Sequence, residues 1–450
     1  MDEAGVRISL AQRQATALGE RRALPDASHD ARISLAELEP LLALALRRSV
    51  SWPIRGTYDM TEKRREAMQA NLPLSGVSVV EFCQVAAGPF CGMLLADFGA
   101  EVVKVEPLEG DSLRQWPPLS EGYSENFASL NRGKCSVALN LKDPADLDFA
   151  RSLVLQAHVL VENNRPGVME RLGLGWSWFR ERRPQLVYCS ISAYGQTGPR
   201  SGEGGFDVTV QAAAGVMSVT GEPDGAPVKC GVPVSDFTAG LYAAYAISAK
   251  LAQVRAGGPG GHIDVPMFST TLAIAALQTS EYFGTGRNPR KLGSAHPRNA
   301  PYEAFRASDG YFVIAAGNNK LWLSVCEVVG LPALAEDARF ASPSTRARHQ
   351  GELKAILEPR FMEQPVAYWL ECFARAGVPH APINGYAEAL QDPQANHLQL
   401  VQPIDLPGGV TTRTVACPVR LDGDPVPLRN ELPLLGEHTE ALRAKSRQAA

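Results

Sequence analysis

Residues 77–106 read VSVVEFCQVAAGPFCGMLLADFGAEVVKVE, and they carry the clearest structural pattern in the chain. The first six residues are a β-branched run that predicts a buried strand. Residues 83–100 then space apolar side chains as a helix does and end near a glycine, which predicts a helix closed by that residue. The last six, EVVKVE at 101–106, predict a second strand. A strand, a helix and a strand in this order predict parallel pairing and an open α/β fold.

The alternation of strands and helices continues beyond this unit. Further strands are predicted at 136–141, 158–163 and 186–192, and further helices near 143–156 and 168–182. Residues 284–301 are rich in Gly, Pro, Arg and Asn and predict a linker or mobile loop. A strand that begins at Tyr311 and helical patterns over 320–390 predict a second, smaller domain. Frequent prolines over 403–433 predict an extended stretch that runs over another unit.

The first 72 residues differ from the rest and are rich in Arg, Ala and Glu. Apolar side chains recur there at helical spacing at Leu35, Leu38, Leu42 and Leu46. This spacing predicts a helix that is kinked at Pro40 or begins there. The helix fits either a docking or oligomer contact or an appendage packed on the main body, and we favour the appendage.

Composition excludes several classes of function. The net charge of −4 provides no basic surface for nucleic acid and no polybasic membrane patch. The chain opens with Met-Asp-Glu and has no apolar stretch of the roughly 18 residues that a membrane span needs, so we expect a cytoplasmic protein. The eight cysteines form no C-x-x-C pair and the eight histidines no H-E-x-x-H motif, so no metal site is expected.

The first strand–helix turn invites a dinucleotide interpretation, with Glu106 at the end of the second strand as the ribose-binding acid. The turn reads Val85-Ala-Ala-Gly-Pro, however, and lacks the G-x-G-x-x-G fingerprint, which disfavours a dehydrogenase. A helix N-terminus in this position can still receive a nucleotide. Coenzyme A has an ADP-like end, so the same geometry suits it.

Asp236 directly precedes a long Ala-rich amphipathic pattern in the stretch KCGVPVSDFTAGLYAAYAISAKLA, which starts at Lys229. Ser235 or Asp236 would serve as the N-cap of that helix, which is a purely structural interpretation. A carboxylate at a helix start also lies near backbone N–H groups that favour its ionised form. From the residues alone, both roles stay open.

Six segments taken together resemble one family. They are VVEFCQVAAGPFCGMLLADFGAEVVKVE (79–106), NRGKCSVALNLK (131–142), VENNRPGVMERLGLGW (161–176), SISAYGQTGPR (190–200), GGFDVTVQAAAGVMSVTGEPDGAP (204–227) and LLGEHT (434–439). In this order they resemble the class III CoA-transferases, the group of formyl-CoA, carnitine and benzylsuccinate CoA-transferases. The resemblance spans roughly residues 74–445 and leaves the N-terminal extension outside it.

The resemblance implies a set of site residues. Asp236 matches the aspartate that serves these enzymes as a covalent nucleophile. Contacts to coenzyme A are implied for Val85 in the first turn, Leu139 in the L-x-L-K strand, Asn163 in the following loop and Arg171 in R-L-G.

Two positions depart from the family pattern. Asn164 stands where a phenylalanine usually packs on the adenine, and Pro107 stands where some members have an arginine. Of the contacts to coenzyme A that the resemblance implies, these two residues put the packing on the adenine in doubt.

The resemblance also implies the architecture. The expected fold is α/β, with a Rossmann-like open parallel sheet in a large domain at 73–284 and a smaller α+β domain at 285–395. A C-terminal return to the large domain at 396–450 and an N-terminal extension at 1–72 complete the chain. Two such chains are expected to form a homodimer of interlocked rings, with the active site between the domains at the dimer interface.

The substrates implied are an acyl-CoA and a free carboxylic acid, with no prosthetic group and no metal. Oxyanion donors are expected from the loop at 293–299 or the loop at 317–319. Four basic side chains crowd the predicted linker: Arg287, Arg290, Lys291 and Arg298. They suit recognition of a second carboxylate, as in members that use dicarboxylic acids with succinyl-CoA as donor, and they equally suit a solvated loop.

Two alternatives remain. The α-methylacyl-CoA racemases share the fold and use a histidine in a G-H-D segment, which reads Gly205-Phe206-Asp207 here. Phenylalanine cannot transfer a proton, so a racemase is disfavoured. We expect Phe206 to be a packing residue, with substrate contact as the alternative. A non-catalytic acyl-CoA-binding protein would not need the acid at Asp236.

Overall fold

The computed structural model describes residues 71–449, so the helix predicted in the N-terminal extension lies outside the described residues. The strands are β1 Ser78–Phe82, β2 Glu101–Glu106, β3 Leu119–Ser120, β4 Tyr123–Ser124, β5 Lys134–Ala138, β6 Val159–Glu162, β7 Val187–Ser192, β8 Gly261–Pro266, β9 Tyr302–Arg306, β10 Tyr311–Ala315, β11 His380–Pro382, β12 Val401–Leu406, β13 Val410–Val415, β14 Arg420–Leu421 and β15 Asp424–Pro425. The α-helices are α1 Ala87–Asp97, α2 Glu125–Asn131, α3 Pro144–Gln156, α4 Val168–Arg171, α5 Trp176–Phe179, α6 Asp207–Ala213, α7 Val216–Val219, α8 Val234–Arg255, α9 Met267–Ile274, α10 Ala276–Thr285, α11 Asn319–Val328, α12 Pro343–Arg348, α13 Gln350–Phe361, α14 Val366–Ala376, α15 Tyr386–Ala389, α16 Pro393–His397 and α17 Thr439–Ala449. Short 3₁₀ turns lie at Ser112–Gln115 and Pro332–Ala335.

Six parallel strands form the central sheet in the order β5-β2-β1-β6-β7-β8. The strand–helix–strand unit at 77–106 is therefore confirmed, as are the α/β class and the open parallel sheet. The strand order reverses between β1 and β6, because the chain builds outward from β1 to one edge and then outward from β6 to the other. In sheets of this kind the carboxyl ends of the two central strands diverge and open a crevice.

One predicted helix is broken. The pattern at 168–182 forms two short helices, α4 and α5, instead of one. Gly173 between them has a φ of +69°, a left-handed conformation that ends a helix and that a residue with a side chain rarely adopts.

Helix α8 packs closely on α1, and this contact positions the functional site. A Cβ added at Gly240 of α8 would lie 2.7 Å from the carbonyl oxygen of Ala87, so only glycine permits this approach. One turn earlier on α8, the ring of Phe237 packs against that of Phe90 in a tilted arrangement, with centroids 4.7 Å apart. The start of α8 is thereby fixed beside the turn that follows β1.

A second hydrophobic core belongs to residues 300–378. The antiparallel sheet β11-β10-β9 packs there against helices α11, α13 and α14 through a cluster of aromatic rings. The strand predicted to begin at Tyr311 is confirmed as β10. The numerical boundaries of the domains stay predictions.

The C-terminal segment contacts the edge of the large sheet. The His438 N–H donates to the carbonyl oxygen of Ser136 on edge strand β5 at 3.0 Å, and the Ala138 N–H donates to Thr439 Oγ1 at 3.1 Å. Part of the proline-rich stretch before it forms the β12–β13 hairpin instead of a fully extended run. Within residues 71–449, no helix is long and apolar enough to cross a membrane.

Candidate active site

A cavity of about 330 Å³ lies at the carboxyl ends of β1, β6 and β7, in the crevice where the strand order reverses. Its lining comprises Gln84–Ala87, Asn163–Pro166, Ile191–Ala193, Glu203–Phe206, Asp236 and Met267. Three of the five site residues implied by the resemblance, Val85, Asn163 and Asp236, therefore meet in one cavity. The loops that meet there come from distant parts of the sequence, because parallel strands all end at the same edge of the sheet.

Asp236 lies in the first turn of α8 and lines the cavity. The helix begins at Val234, and Pro233 at the N-cap position makes no side-chain capping bond. The N-cap role expected for Ser235 or Asp236 is therefore wrong. Among the described residues, the Asp236 carboxylate has no hydrogen-bond or ion-pair partner, so its structural role is not that of a cap.

The environment of Asp236 opposes ionisation. Burial, reinforced by the negative charge of Asp207, raises the pKa of the Asp236 carboxyl from 3.8 to about 7. The expectation that the helix start keeps this group ionised is thus corrected: desolvation and a neighbouring carboxylate outweigh the helix N-terminus. The group remains able to ionise near neutral pH.

Asp207 and Gln211 hold the segment that leads into α8. One Asp207 oxygen accepts the Ser235 N–H at 2.9 Å, and the other accepts Gln211 Nε2 at 2.6 Å. Gln211 Oε1 in turn accepts the Cys230 N–H at 2.8 Å. In the sequence, Asp207 stands out only as part of a racemase-like segment, and this role was missed. Its spacing four residues before a glutamine was the available signal, because such residues face one side of a helix.

Asn163 serves the cavity through the backbone of the neighbouring turn. Its Oδ1 accepts the Gln84 N–H at 2.9 Å, and its Nδ2 donates to the Gln84 carbonyl oxygen at 2.8 Å. Val85, the next residue, lines the cavity with a φ of +64°. The predicted contacts of both residues to coenzyme A stay predictions, but both lie where a ligand of this cavity would lie.

Leu139 and Arg171 do not line the cavity. Leu139 directly follows β5, and its side chain is buried in the core on one face of the sheet. Arg171 is exposed on α4. Strand β5 lies two places from β1, roughly 10 Å away. A ligand as long as coenzyme A could extend from the cavity across these strand ends, so contacts at Leu139 and Arg171 stay predictions.

Asn164, one of the two departures from the family pattern, has a local explanation. Asn164 donates from Nδ2 to the Phe82 carbonyl oxygen at 3.2 Å, and its N–H donates to Glu162 at 2.8 Å. Burial raises the pKa of this Glu162 carboxyl to about 7, and sequence reasoning did not single it out.

Glu106, the candidate ribose-binding acid, is buried and paired with Arg114 at 2.7 Å, so it is not free to bind a ribose.

The two loops expected to supply oxyanion donors do not line the cavity of a single chain. His296 holds the first of them, because its Nδ1 accepts the N–H groups of Arg298 and Asn299 at 3.1 Å each. The Asn299 side chain lies near Gly317 of the second loop. The choice between the loops stays open.

Phe206 is 74% exposed and lines the cavity, so it does not pack in the core of its own chain, and the alternative of substrate contact stays open. The basic linker residues also differ from one another. Arg298 pairs with Glu281 at 3.2 Å, and Lys291 donates to the carbonyl oxygen of Gly225. Among the described residues, no group of three or more His, Cys, Asp or Glu side chains could hold a metal ion.

Comparison with known proteins identifies the family. The model of CoA-transferase family III matches residues 74–439. A succinate–glutarate CoA-transferase of Agrobacterium fabrum is 37% identical over 381 residues, 83% of this chain and 95% of that protein. An acetyl-CoA:oxalate CoA-transferase of Acetobacter aceti is 39% identical over 377 residues, 82% of this chain and 95% of that protein. The crystal structure of a CAIB/BAIF family protein from Brucella suis matches with a TM-score of 0.75 and 38% identity, covering 84% of this chain and all of that one. The chain therefore belongs to CoA-transferase family III.

Proposed function

We propose that this CoA-transferase moves coenzyme A from an acyl-CoA to a free carboxylic acid through covalent intermediates on Asp236. The observation that carries the proposal is the state of that carboxylate. It lines the cavity at the reversal of strand order, and among the described residues it has no hydrogen-bond or ion-pair partner. A carboxylate without a partner keeps its oxygens free to form a bond.

The proposed reaction conserves the energy of the thioester at each step. An Asp236 oxygen attacks the carbonyl carbon of the donor thioester, the C–S bond breaks, and a mixed anhydride and the CoA thiolate result. The thiolate attacks the Asp236 carbonyl carbon, and the first acid leaves as a carboxylate. Asp236 is then a CoA thioester. Splitting one difficult exchange into such steps is the general advantage of a covalent nucleophile.

The incoming acid reverses these steps. Its carboxylate attacks the Asp236 thioester, which releases the thiolate and forms a second mixed anhydride. The thiolate then attacks the acyl carbonyl of that anhydride, and Asp236 leaves as a free carboxylate. No net proton is consumed, because every nucleophile and every leaving group in the cycle is an anion.

The raised pKa of Asp236, about 7, suits this role. A more basic carboxylate is a stronger nucleophile once it is ionised, and at mildly alkaline pH nearly all of it is ionised. The charge of Asp207 contributes to that basicity, although the Asp207 side chain does not line the cavity.

Trapping tests the covalent step. Incubation with succinyl-CoA followed by hydroxylamine or borohydride should modify Asp236 alone, as read by peptide mass spectrometry. A modification of Asp207 or Glu106 instead would move the nucleophile and overturn the assignment.

We propose that the acids are dicarboxylic, with succinyl-CoA as donor. Support comes from the relatives, which are named for succinate and glutarate and for oxalate, all dicarboxylic acids. Arg287 and Arg290 are exposed in the linker and could pair with a second carboxylate. A matrix of CoA donors against acid acceptors, read as new thioesters by mass spectrometry, tests this. Faster transfer to monocarboxylic acids than to dicarboxylic acids would contradict it.

We propose that the active form is an interlocked homodimer. Support comes from large apolar side chains left exposed on one chain, namely Leu241 at 53% and Tyr245 at 71% on α8, and Phe283 at 81% on α10. In the proposed dimer, the loop at 293–299 or the loop at 317–319 of the second copy would supply oxyanion donors to the cavity. Interlocked chains cannot separate without partial unfolding, so the mass in solution should stay dimeric on dilution. A monomer that appears on dilution at native pH would contradict this.

The alternative, an acyl-CoA racemase, depends on a residue of the same cavity. Phe206 lines it where a racemase of this fold needs a proton-transferring histidine. Acyl-CoA incubated in D₂O should therefore gain no deuterium at its α-carbon while exchange of coenzyme A proceeds.

A further inference from the structure

Val85 adopts a conformation that a β-branched residue avoids. Its φ of +64° lies in the left-handed region, where the Cβ of such a residue clashes with its own backbone. The three neighbours that line the cavity with it, from Gln84 to Ala87, depend on this bend for their direction. Strain of this kind persists only where surrounding contacts impose it.

Three side chains impose it, one on each successive residue of the turn. Lys104 donates from Nζ to the Cys83 carbonyl oxygen at 2.7 Å. Asn163 makes the two bonds to the backbone of Gln84. Asp111 accepts the Val85 N–H at both carboxylate oxygens, at 3.2 and 3.1 Å.

Asp111 is itself held by charge. Its carboxylate pairs with Lys104 at 3.0 Å, and both side chains are completely buried. Its own N–H donates to Glu106 at 3.0 Å. Lys104 thus joins both ends of the turn, directly at Cys83 and through Asp111 at Val85.

Buried ion pairs rarely contribute more stability than apolar side chains of the same volume would. This pair nevertheless directs polar atoms at the main chain of the turn at residues 83–85, which leads into the cavity lining. It makes other contacts as well, because Lys104 also pairs with Glu81 at 3.5 Å and Asp111 also accepts the Leu113 N–H at 3.0 Å. A role in shaping the cavity accounts for the bonds to Cys83 and Val85, which capping of residues 112–115 by Asp111 does not require.

We infer that Asp111, neutralised by Lys104, is a positioning residue for acyl-CoA binding: it holds Val85 left-handed so that residues 84–87 are set in place before the ligand arrives. The inference rests on the proposed function, because it takes the cavity as the acyl-CoA site. Asp111 does not line the cavity and takes no part in the covalent steps.

The test is Asp111→Asn, which preserves the volume of the side chain and removes its charge. We expect KM for succinyl-CoA and Kd for coenzyme A to rise roughly tenfold or more, with kcat at saturation reduced less than about threefold. Val85→Gly added to this variant should lower KM again, because glycine adopts the left-handed conformation without an imposed contact.

Asp97→Asn is the matched control. Asp97 is equally buried and pairs with Arg132, but neither residue lines the cavity. This control should lower the melting temperature and leave KM unchanged. If Asp111→Asn behaves in the same way, the positioning role is overturned and the pair is merely structural.

A measurement on the unaltered protein covers the case in which Asp111→Asn does not fold. Amide hydrogen exchange of a peptide that contains residues 83–88 should be slow before coenzyme A is added. Fast exchange that becomes slow only with coenzyme A would overturn preorganisation. If the unaltered protein binds no coenzyme A at all, the proposed function fails, which is distinct from failure of this inference.

Discussion

Asp111 and Asp236 both act on the same cavity, and their surroundings are opposite. Asp111 is completely buried, pairs with Lys104 at 3.0 Å and accepts a backbone N–H. Asp236 lines the cavity without a partner among the described residues, and burial with the charge of Asp207 raises its pKa to about 7. In this fold, a cation compensates the charge of the carboxylate that holds the backbone, whereas the charge of the carboxylate that we propose forms covalent bonds has no such partner among the described residues.

The largest expected effect removes the uncompensated group. Asp236→Asn keeps the shape of the side chain but provides no anionic nucleophile, so transfer of coenzyme A should fall by at least about 10⁴-fold. Binding of coenzyme A should persist, because the turn held by Asp111 is untouched. Thioester exchange and calorimetric binding measure the two quantities.

The same variant separates a structural from a chemical role. Asparagine provides the same shape and a carbonyl oxygen that can accept a hydrogen bond, so any purely structural role of Asp236 would survive the change. Near-native turnover by Asp236→Asn would show that this position is structural and that the proposed mechanism is wrong.

The second effect is on stability and depends on pH. The pKa of Asp236 is about 7 in the folded chain against 3.8 for the unperturbed group, so the folded state binds this proton more tightly. Its contribution to stability is therefore present below about pH 4 and is lost as pH rises towards 7. Asp236→Asn should be more stable than the wild type at pH 8, by about 1–3 kcal/mol, and should match it near pH 4.

Denaturant unfolding at fixed protein concentration measures this difference. Equal stability of the two proteins at pH 8 would mean that Asp236 is not held in an environment that opposes its charge. The contrast with Asp111 would then disappear.

The third effect concerns the neighbour that helps to raise the pKa. Asp207→Asn keeps an oxygen that can accept the Ser235 N–H and removes the negative charge near Asp236. The acidic limb of kcat/KM, expected near pH 7, should move to lower pH by roughly half a unit to one unit. Activity at pH 8 should change less than about tenfold.

Glu203→Gln is the control for that profile. Glu203 also lines the cavity, but it is exposed and pairs with Arg200 at 2.7 Å. Its removal should leave the acidic limb in place. If the acidic limb moves in Glu203→Gln and not in Asp207→Asn, Asp207 is not the residue that raises the pKa of Asp236.

Much of this site follows from the sequence, because Val85 and Asn163 each follow a strand of one parallel sheet. The β-branched runs before Val85 and Asn163 predict strands, and parallel strands bring their carboxyl ends together. The family resemblance selects Asp236 from among many acids. Local pattern and family motif together therefore suffice to gather these three residues.

The electrostatics do not follow from the sequence. Lys104 sits within β2 and Asp111 in the loop beyond it, and no periodicity indicates that both meet the backbone of a turn some 20 residues earlier. The expectation that the helix start keeps Asp236 ionised is wrong for a similar reason. A helix start is visible in the sequence, whereas burial and the approach of Asp207 depend on how helices pack.

The smallest expected effect comes from deleting residues 1–70. The family match begins at residue 74, and the cavity lining begins at Gln84, so both aspartates keep their surroundings. The cut belongs before residue 71, because Leu72 is buried against Cys417 and Val426 and should remain. We expect kcat/KM within about threefold of the full chain and an unchanged acidic limb. Lost activity in a truncated protein that melts at the same temperature as the full chain would instead assign the extension a part in the site or the dimer. Unchanged kcat/KM and an unchanged acidic limb would show that residues 71–450 alone produce the different surroundings of Asp111 and Asp236.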